Sequence, residues 1–494
     1  MSRLTLVFVV DGLRPDAITA DDTPTLHRLR ADGVSFAASH ATFPTVTRVN
    51  AATLATGAHP ATHGILGNTM VVPAVNPRRA FSNDDWRNLV KVDEATGGGL
   101  VPVATLAERL AARGGRLAAV SSGSTGSALL LNPRAARGVG VLVNGYFGSD
   151  PRTPGPLVAF PPDVNAAILA RFGAPPPKGG RTERFDAAVD WTEAVLRDYV
   201  LPELRPDVVI NWITEPDHTQ HAVGAGSPEA RAAIRNADRH IDLVLDQVGA
   251  LGLGGELDVL VASDHGFSVN TGTVDVTREL IEAGLKAGPD SDDVVVASSG
   301  QAMGLHVKDR ALERVQKLVA FLQSRAWIGV IFTAGARAEG TFPLELIHAA
   351  HAGWGPDILF TFPWTSAPNA FGVPGTDVGD AASKVTSDHG SLSPWTVRNT
   401  LLAWGRAFKR GVVSRVPAGN VDVTPTILAL HGLDTDGVDG RVLREAFIDG
   451  PDAEQIPVET RVHTTEAAAG EYRAVVQVSE VDGRRYLDKG WRVA

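Results

Sequence analysis

The stretch LTLVFVVDGLRPD, residues 4–16, decides the fold of this 494-residue chain. Its first half is an apolar run rich in β-branched side chains, the pattern of a central parallel strand buried on both faces. The run stops at Asp11 and Gly12. A carboxylate just beyond a central strand lies at the carboxyl edge of the sheet, where open α/β folds bind ligands. The plainer use of an aspartate is a turn, and that suits Asp16 better than Asp11. The run is short and has no small-residue cleavage site, so it reads as a strand and not as a secretory leader. No stretch approaches the roughly 20 apolar residues of a membrane span, and the expected location is the cytoplasm.

Two further buried strands repeat the device. Residues 207–213 lead into Thr214-Glu215-Pro216-Asp217-His218-Thr219-Gln220-His221, and residues 257–262 into Ser263-Asp264-His265-Gly266. Three apolar strands thus each end in residues able to hold a metal. Helical periodicity over residues 23–33, 105–113, 185–200 and 229–248, with further strands at 117–122 and 142–143, predicts an α/β fold with a largely parallel central sheet flanked by helices. Residues 69–100 read as a long irregular loop or a small excursion, and the proline- and glycine-rich 150–180 as a surface connection.

After Gly266 the texture changes, with a helix at 311–324 and the Gly353-Trp354-Gly355-Pro356 section. Thr386-Ser387-Asp388-His389-Gly390-Ser391 then returns to the polar style of the earlier strand ends, and 421–432 reads as a helix. The expected division is a catalytic core of 1–274 and 386–457, an inserted cap of 275–385, and a C-terminal β-hairpin tail of 458–494 turning at Asp482-Gly483.

With no cysteine, disulfides, thiolate metal sites and a cysteine nucleophile are excluded, so any metal must be held by His, Asp, Glu or hydroxyl oxygen. The net charge of −10 argues against a nucleic-acid polymer as partner. It leaves room for a small anionic substrate, because bound divalent cations reverse the field inside one pocket.

Residues 43–68, FPTVTRVNAATLATGAHPATHGILGN, run from an extended segment into a small-residue helix that starts near Thr47 and stops at Gly57. A hydroxyl at a helix N-terminus sits among unpaired N–H groups that favour an alkoxide and a phosphoryl oxygen. The plain alternative is an N-cap threonine without chemistry. Most other histidines, including His59, His63, His348 and His351, read as structural.

Taken together, Asp11, Thr47, Asp217, His221, Asp264, His265 and His389 resemble the alkaline phosphatase superfamily. Within it the chain is most similar to type I phosphodiesterases/nucleotide pyrophosphatases, with phosphonoacetate hydrolases as close relatives. The Asp-His-Gly after a strand and the Glu-Pro-Asp-x-x-x-His spacing carry that resemblance over roughly residues 1–270 and 385–435. It implies an alkaline-phosphatase-like core and two zinc ions. Asp11, Thr47, Asp264 and His265 would hold one, and Asp217, His221 and His389 the other; His351 competes with His389 for that place. It makes Thr47 the nucleophile, with Thr45 as the fallback, and Asn50 a donor to a phosphoryl oxygen. The implied reaction is hydrolysis of small phosphate esters through a covalent phospho-threonine. Arg48 departs from the aromatic residue usual after the nucleophile, and either binds an anion or pairs with a surface acid. Asn68 matches a stretch near substrate, but no lysine stands near Thr47 or Asn68. A phosphonate hydrolase, a phosphomonoesterase and a non-catalytic metal- or anion-binding relative are the alternatives.

Overall fold

The computed structural model describes residues 3–145, 157–177, 180, 182–467 and 470–493. Part of the expected 150–180 connection therefore lies outside the described residues. The core is a nine-stranded sheet. Strand Leu4–Val10 lies at its centre, paired in parallel with Leu257–Ala262 on one side and Val208–Ile213 on the other. Val208–Ile213 continues in parallel to Leu117–Ser121, and that strand to Val141–Gly145. Leu401–Gly405 runs antiparallel to Leu257–Ala262, so the sheet is mostly, not wholly, parallel.

Both faces of the central strand are buried, as its apolar composition requires. Val7 and Val9 pack into one core cluster with Trp212 and the helix Thr47–Thr56, while Leu6, Phe8 and Val10 enter a second cluster with the long helix Pro228–Ala250. The register places Val9 beside Ala262 and Val10 beside Ile213. The three strands accordingly end level, and Asp11, Asp217 and Asp264 follow them at one edge.

Chain 275–385 contains a five-stranded sheet built from Val294–Ser299, Ala302–Val307, Ile331–Thr333, Phe342–Pro343 and Ile358–Thr361. Phe360 and Phe362 are fully buried there with Phe332. A separate four-stranded sheet joins Ser268–Val274 to Trp364–Pro368, Pro374–Asp380 and Ser387–Asp388, so a strand that leaves the core edge pairs directly with inserted chain. The tail holds three antiparallel strands, Glu459–Glu466, Arg473–Val481 and Arg484–Val493, one more than a hairpin. Tyr472, Ala474, Val476 and Val478 bury its inner face against the inserted sheet.

Several connections are more regular than their composition suggested. The helix Trp86–Ala95 interrupts 69–100, with Asp85 accepting the Arg87 N–H as its N-cap. Strand Leu157–Phe160 and helix Pro162–Phe172 occupy the proline-rich segment; proline is favoured in the first helical turn, where its missing N–H is not needed. Among the described residues, no helix is long and apolar enough to cross a membrane.

Candidate active site

Thr47 opens the helix Thr47–Thr56, and Val46 occupies the N-cap position. The Thr47 hydroxyl therefore does not cap the helix; it stands 3.5 Å from His265 Nε2. The helix ends at Gly57 with φ 68°, a left-handed conformation that glycine adopts without penalty. Thr45, the other hydroxyl considered, is buried and engaged twice, accepting from the Gly390 N–H at 3.0 Å and donating to Ser391 O at 3.3 Å.

Around Thr47 the chain gathers two groups of ligand-type side chains, Asp11 with Asp264 and His265, and Asp217 with His221 and His389. Within each group one atom per residue lies within 4.8 Å of the others. Asp217 stands between them: its Oδ1 is 3.3 Å from His221 Nε2, 3.5 Å from His389 Nε2 and 4.0 Å from His265 Nε2. His389, not His351, joins this group. His351 instead accepts the Gly353 and Trp354 N–H groups and lies against the Trp354 ring.

The three histidines share one orientation. Nδ1 is hydrogen-bonded to a backbone carbonyl in each case: His221 to Ser387 at 2.8 Å, His265 to Gly266 at 2.9 Å and His389 to Thr45 at 2.9 Å. A ring that donates from Nδ1 presents an Nε2 lone pair, the arrangement that fixes tautomer and direction in metal-binding imidazoles. Facing those lone pairs are Asp11 Oδ1, Asp217 Oδ1 and Asp264 Oδ2, all buried and without a hydrogen-bond partner. The remaining oxygens are held: Trp212 Nε1 donates to Asp11 Oδ2 at 3.0 Å, and the Gly12 and His265 N–H groups donate to Asp264 Oδ1.

The electrostatics point the same way. Burial, then the charges of Asp217 and Asp264, pushes the Asp11 carboxyl well above its usual range. Burial also opposes ionisation of Asp217, but His221 and His389 outweigh it and hold that carboxyl below its ordinary value. His221 is pushed up to about 9, burial being overcome by Asp217, whereas burial and the neighbouring His265 keep His389 well below its ordinary value. The cluster attracts positive charge. Imidazole and carboxylate donors with orphaned oxygens fit divalent cations of the zinc type.

Asn50 is not brought to this centre. It is fully buried, its Nδ2 donates to Thr42 O and Val46 O, and its Oδ1 accepts from Thr42 N–H and Asn420 Nδ2. The expected donation to a phosphoryl oxygen has no free N–H to make it; Asn50 instead fastens the loop before Thr47. Asn68 is better placed. Its Oδ1 accepts the Arg48 N–H at 3.2 Å, which leaves its amide nitrogen as a donor at the first turn of the Thr47 helix.

A cavity of about 150 Å³ opens beside Thr47, lined by Arg48, Asp84, Ser122, Ser124, Phe185 and His218, together with Asp11, Asp217 and His221. Arg48 pairs with Asp84, a half-exposed surface acid, and its Nη2 also donates to Ser124 Oγ at 3.2 Å. Phe185 stacks on His218 with ring centroids 3.5 Å apart. These two rings form one wall of the cavity. A larger groove of about 700 Å³, lined by Trp404, Phe408 and Lys409, contains none of the ligand-type residues.

Residues 5–324 match the sequence model of the type I phosphodiesterase / nucleotide pyrophosphatase family. The chain belongs to this family. It lies within the alkaline phosphatase superfamily. Venom phosphodiesterase 2 of Crotalus adamanteus is 27% identical over 265 residues, 53% of this chain and 26% of the venom protein. Ectonucleotide pyrophosphatase/phosphodiesterase family member 1 of Mus musculus is 24% identical over 267 residues, 53% of this chain and 24% of the mouse protein. The match thus spans about a quarter of the length of these curated relatives. Murine ectonucleotide pyrophosphatase/phosphodiesterase 5 shares the fold, with a TM-score of 0.59 at 16% identity over 89% of this chain and 97% of that one. That murine protein has also been solved in an inactive form in complex with AMP. In this phosphodiesterase-family chain, sequence reasoning missed Trp212, which bonds Asp11, and Asp84, which lines the cavity. Trp212 is the penultimate residue of an apolar strand and looks like core; only the parallel register beside Leu4–Val10 brings it to Asp11.

Proposed function

We propose that the chain is a two-zinc phosphodiesterase that hydrolyses small phosphate esters through a covalent phospho-threonine at Thr47. One observation carries the reading: three imidazole Nε2 atoms and three orphaned, buried carboxylate oxygens converge beside the Thr47 hydroxyl at a helix N-terminus. Asp11, Thr47, Asp264 and His265 would hold one zinc ion, and Asp217, His221 and His389 the other. Two such ions supply positive charge that lowers the proton affinity of the Thr47 hydroxyl and offsets charge building on the phosphoryl oxygens.

The chain's own residues do the rest. Thr47 Oγ1 forms a bond to phosphorus as the bond from phosphorus to the leaving alcohol breaks. Water then cleaves the phospho-threonine, restoring the hydroxyl and releasing the phosphomonoester. The helix N-terminus and the Asn68 amide orient the phosphoryl oxygens, and the backbone carbonyls behind the histidines keep the rings aimed inward. The cavity beside Thr47 is small and mostly polar, which favours a compact leaving group over a broad stacked one.

The test is hydrolysis of bis-p-nitrophenyl phosphate against p-nitrophenyl phosphate, after chelation and after zinc is restored. Faster diester cleavage that returns with zinc supports the proposal. A monoester preference moves the phosphomonoesterase reading ahead, and loss of turnover on both substrates turns attention to phosphonates.

A further inference from the structure

The strand Ser268–Val274 leaves the core edge just beyond His265 and is flanked by Pro374–Asp380 and Ser387–Asp388. The register sets Asp377 beside Asn270 and Asp388 beside Ser268. Residues two apart on a strand share a face, and paired residues point the same way. Asp377, Asn270, Ser268 and Asp388 therefore emerge together on one side of this sheet. All four side chains are buried: Asp377 is 1% exposed, Asp388 3%, Ser268 1% and Ser391 0%.

The protein answers these carboxylates only in part: His221 Nδ1 stands 3.9 Å from Asp388 Oδ1, and the Ser268 and Ser391 hydroxyls lie near Asp377. Neither Asp377 Oδ1 nor Oδ2 has a hydrogen-bond partner, and Asp388 Oδ2 has none. Asp388 Oδ1 accepts only the His389 N–H, at 2.9 Å. Burial pushes the Asp377 carboxyl well above its ordinary range; the nearby Ser268 and Ser391 hydroxyls oppose this, and the charge of Asp388 adds to it. Among the described residues, no arginine, lysine or histidine acts on Asp377. The backbone also closes in, since a Cβ on Gly300 would fall 2.8 Å from Asp388 Oδ1. Native proteins leave few buried polar atoms unpartnered, and those that remain call for an ion, a proton or a water.

We propose that Asp377 and Asp388, with the hydroxyls of Ser268 and Ser391, hold a hard divalent cation, Mg²⁺ or Ca²⁺, at a site separate from the two histidine-containing groups. Two carboxylates match a double positive charge, and a donor set of oxygen alone selects such ions, whereas imidazole favours zinc. The cation is structural. It clamps Ser387–Asp388, the strand whose Ser387 carbonyl orients His221 and whose next residue is His389.

The experiment is equilibrium dialysis of the zinc-loaded protein against calcium or magnesium, followed by elemental analysis that reads zinc and the lighter metal separately. One further equivalent per chain is expected in the wild type, and Asp377→Asn should lose it while keeping its zinc. No uptake by the wild type, or equal uptake by Asp377→Asn, overturns the proposal. A protonated Asp377 predicts the opposite pattern: no cation, and an Asp377→Asn variant at least as stable, because Asn copies the shape of the neutral acid. Should Asp377→Asn not fold, calcium titration of the zinc-loaded wild type and of Ser268→Ala, followed by melting, decides. A rise in Tm that Ser268→Ala weakens supports the site, and no rise refutes it.

Discussion

Glu193 makes the stability of this fold depend on pH in a direction opposite to that of a salt-bridged carboxylate. It lies on the helix Asp186–Val195, fully buried, against Asn211 of the strand Val208–Ile213 that delivers Asp217. Asn211 Nδ2 donates to both of its oxygens, at 2.9 and 3.1 Å, while Asn211 Oδ1 has no partner. A proton on Glu193 supplies the missing donor. Burial, opposed by the Asn211 bond, lifts the Glu193 carboxyl from 4.5 to about 7. The folded state then binds more protons than the unfolded state between those two values, so stability falls as pH rises through that window. At about 1.4 kcal/mol for each pH unit, the loss is on the order of 3 kcal/mol, complete above about pH 7 and absent below about pH 4.5. The assay is urea unfolding of wild type and Glu193→Gln across that range. Gln keeps a donor for Asn211 Oδ1 and never ionises, so the variant should gain on the wild type by about that amount as pH rises. Glu215, also lifted to about 7, and Asp422, lifted to about 6, contribute equally to both proteins and cancel in the difference. Parallel stability curves for the two proteins would refute the reasoning.

Three further outcomes follow from the site. Thr47→Ala should remove nearly all turnover yet leave the fold and most bound zinc in place; full activity would sink Thr47 as the nucleophile. His221→Ala should lower zinc content, read by elemental analysis, from two equivalents towards one, and an unchanged stoichiometry would remove His221 from the ligand set. Trp212→Phe takes away the hydrogen bond to Asp11 Oδ2 and should weaken zinc retention against a competing chelator by about 10- to 100-fold, the usual cost of losing a partner that orients a ligand; equal retention would show that the indole does not tune Asp11.

What was legible in the sequence, and what was not, divides by the range of the interaction. The central strand could be read because burial on both faces leaves a local signature, an apolar run that stops at a carboxylate, and the same holds for 208–213 and 257–262. The helix Trp86–Ala95 and the strand–helix pair over 157–172 were hidden because glycine and proline dominate their surroundings, although Pro162 in a first helical turn is itself a start signal. Strand Glu459–Glu466 is largely exposed and polar, so it has no alternation to betray it. Asn50 shows the limit more sharply. Its position after Thr47 suggested chemistry, but its duties come from Asn420, 370 residues away in the chain, whose amide also binds the carbonyls of Ser263 and Asp264. That single hub ties the helix carrying Thr47 to the strand end carrying Asp264. Local pattern can announce which residues reach the edge of a sheet. Which of them face the reaction and which hold the others in place is decided by contacts between distant segments, and Asn50 belongs to the second kind.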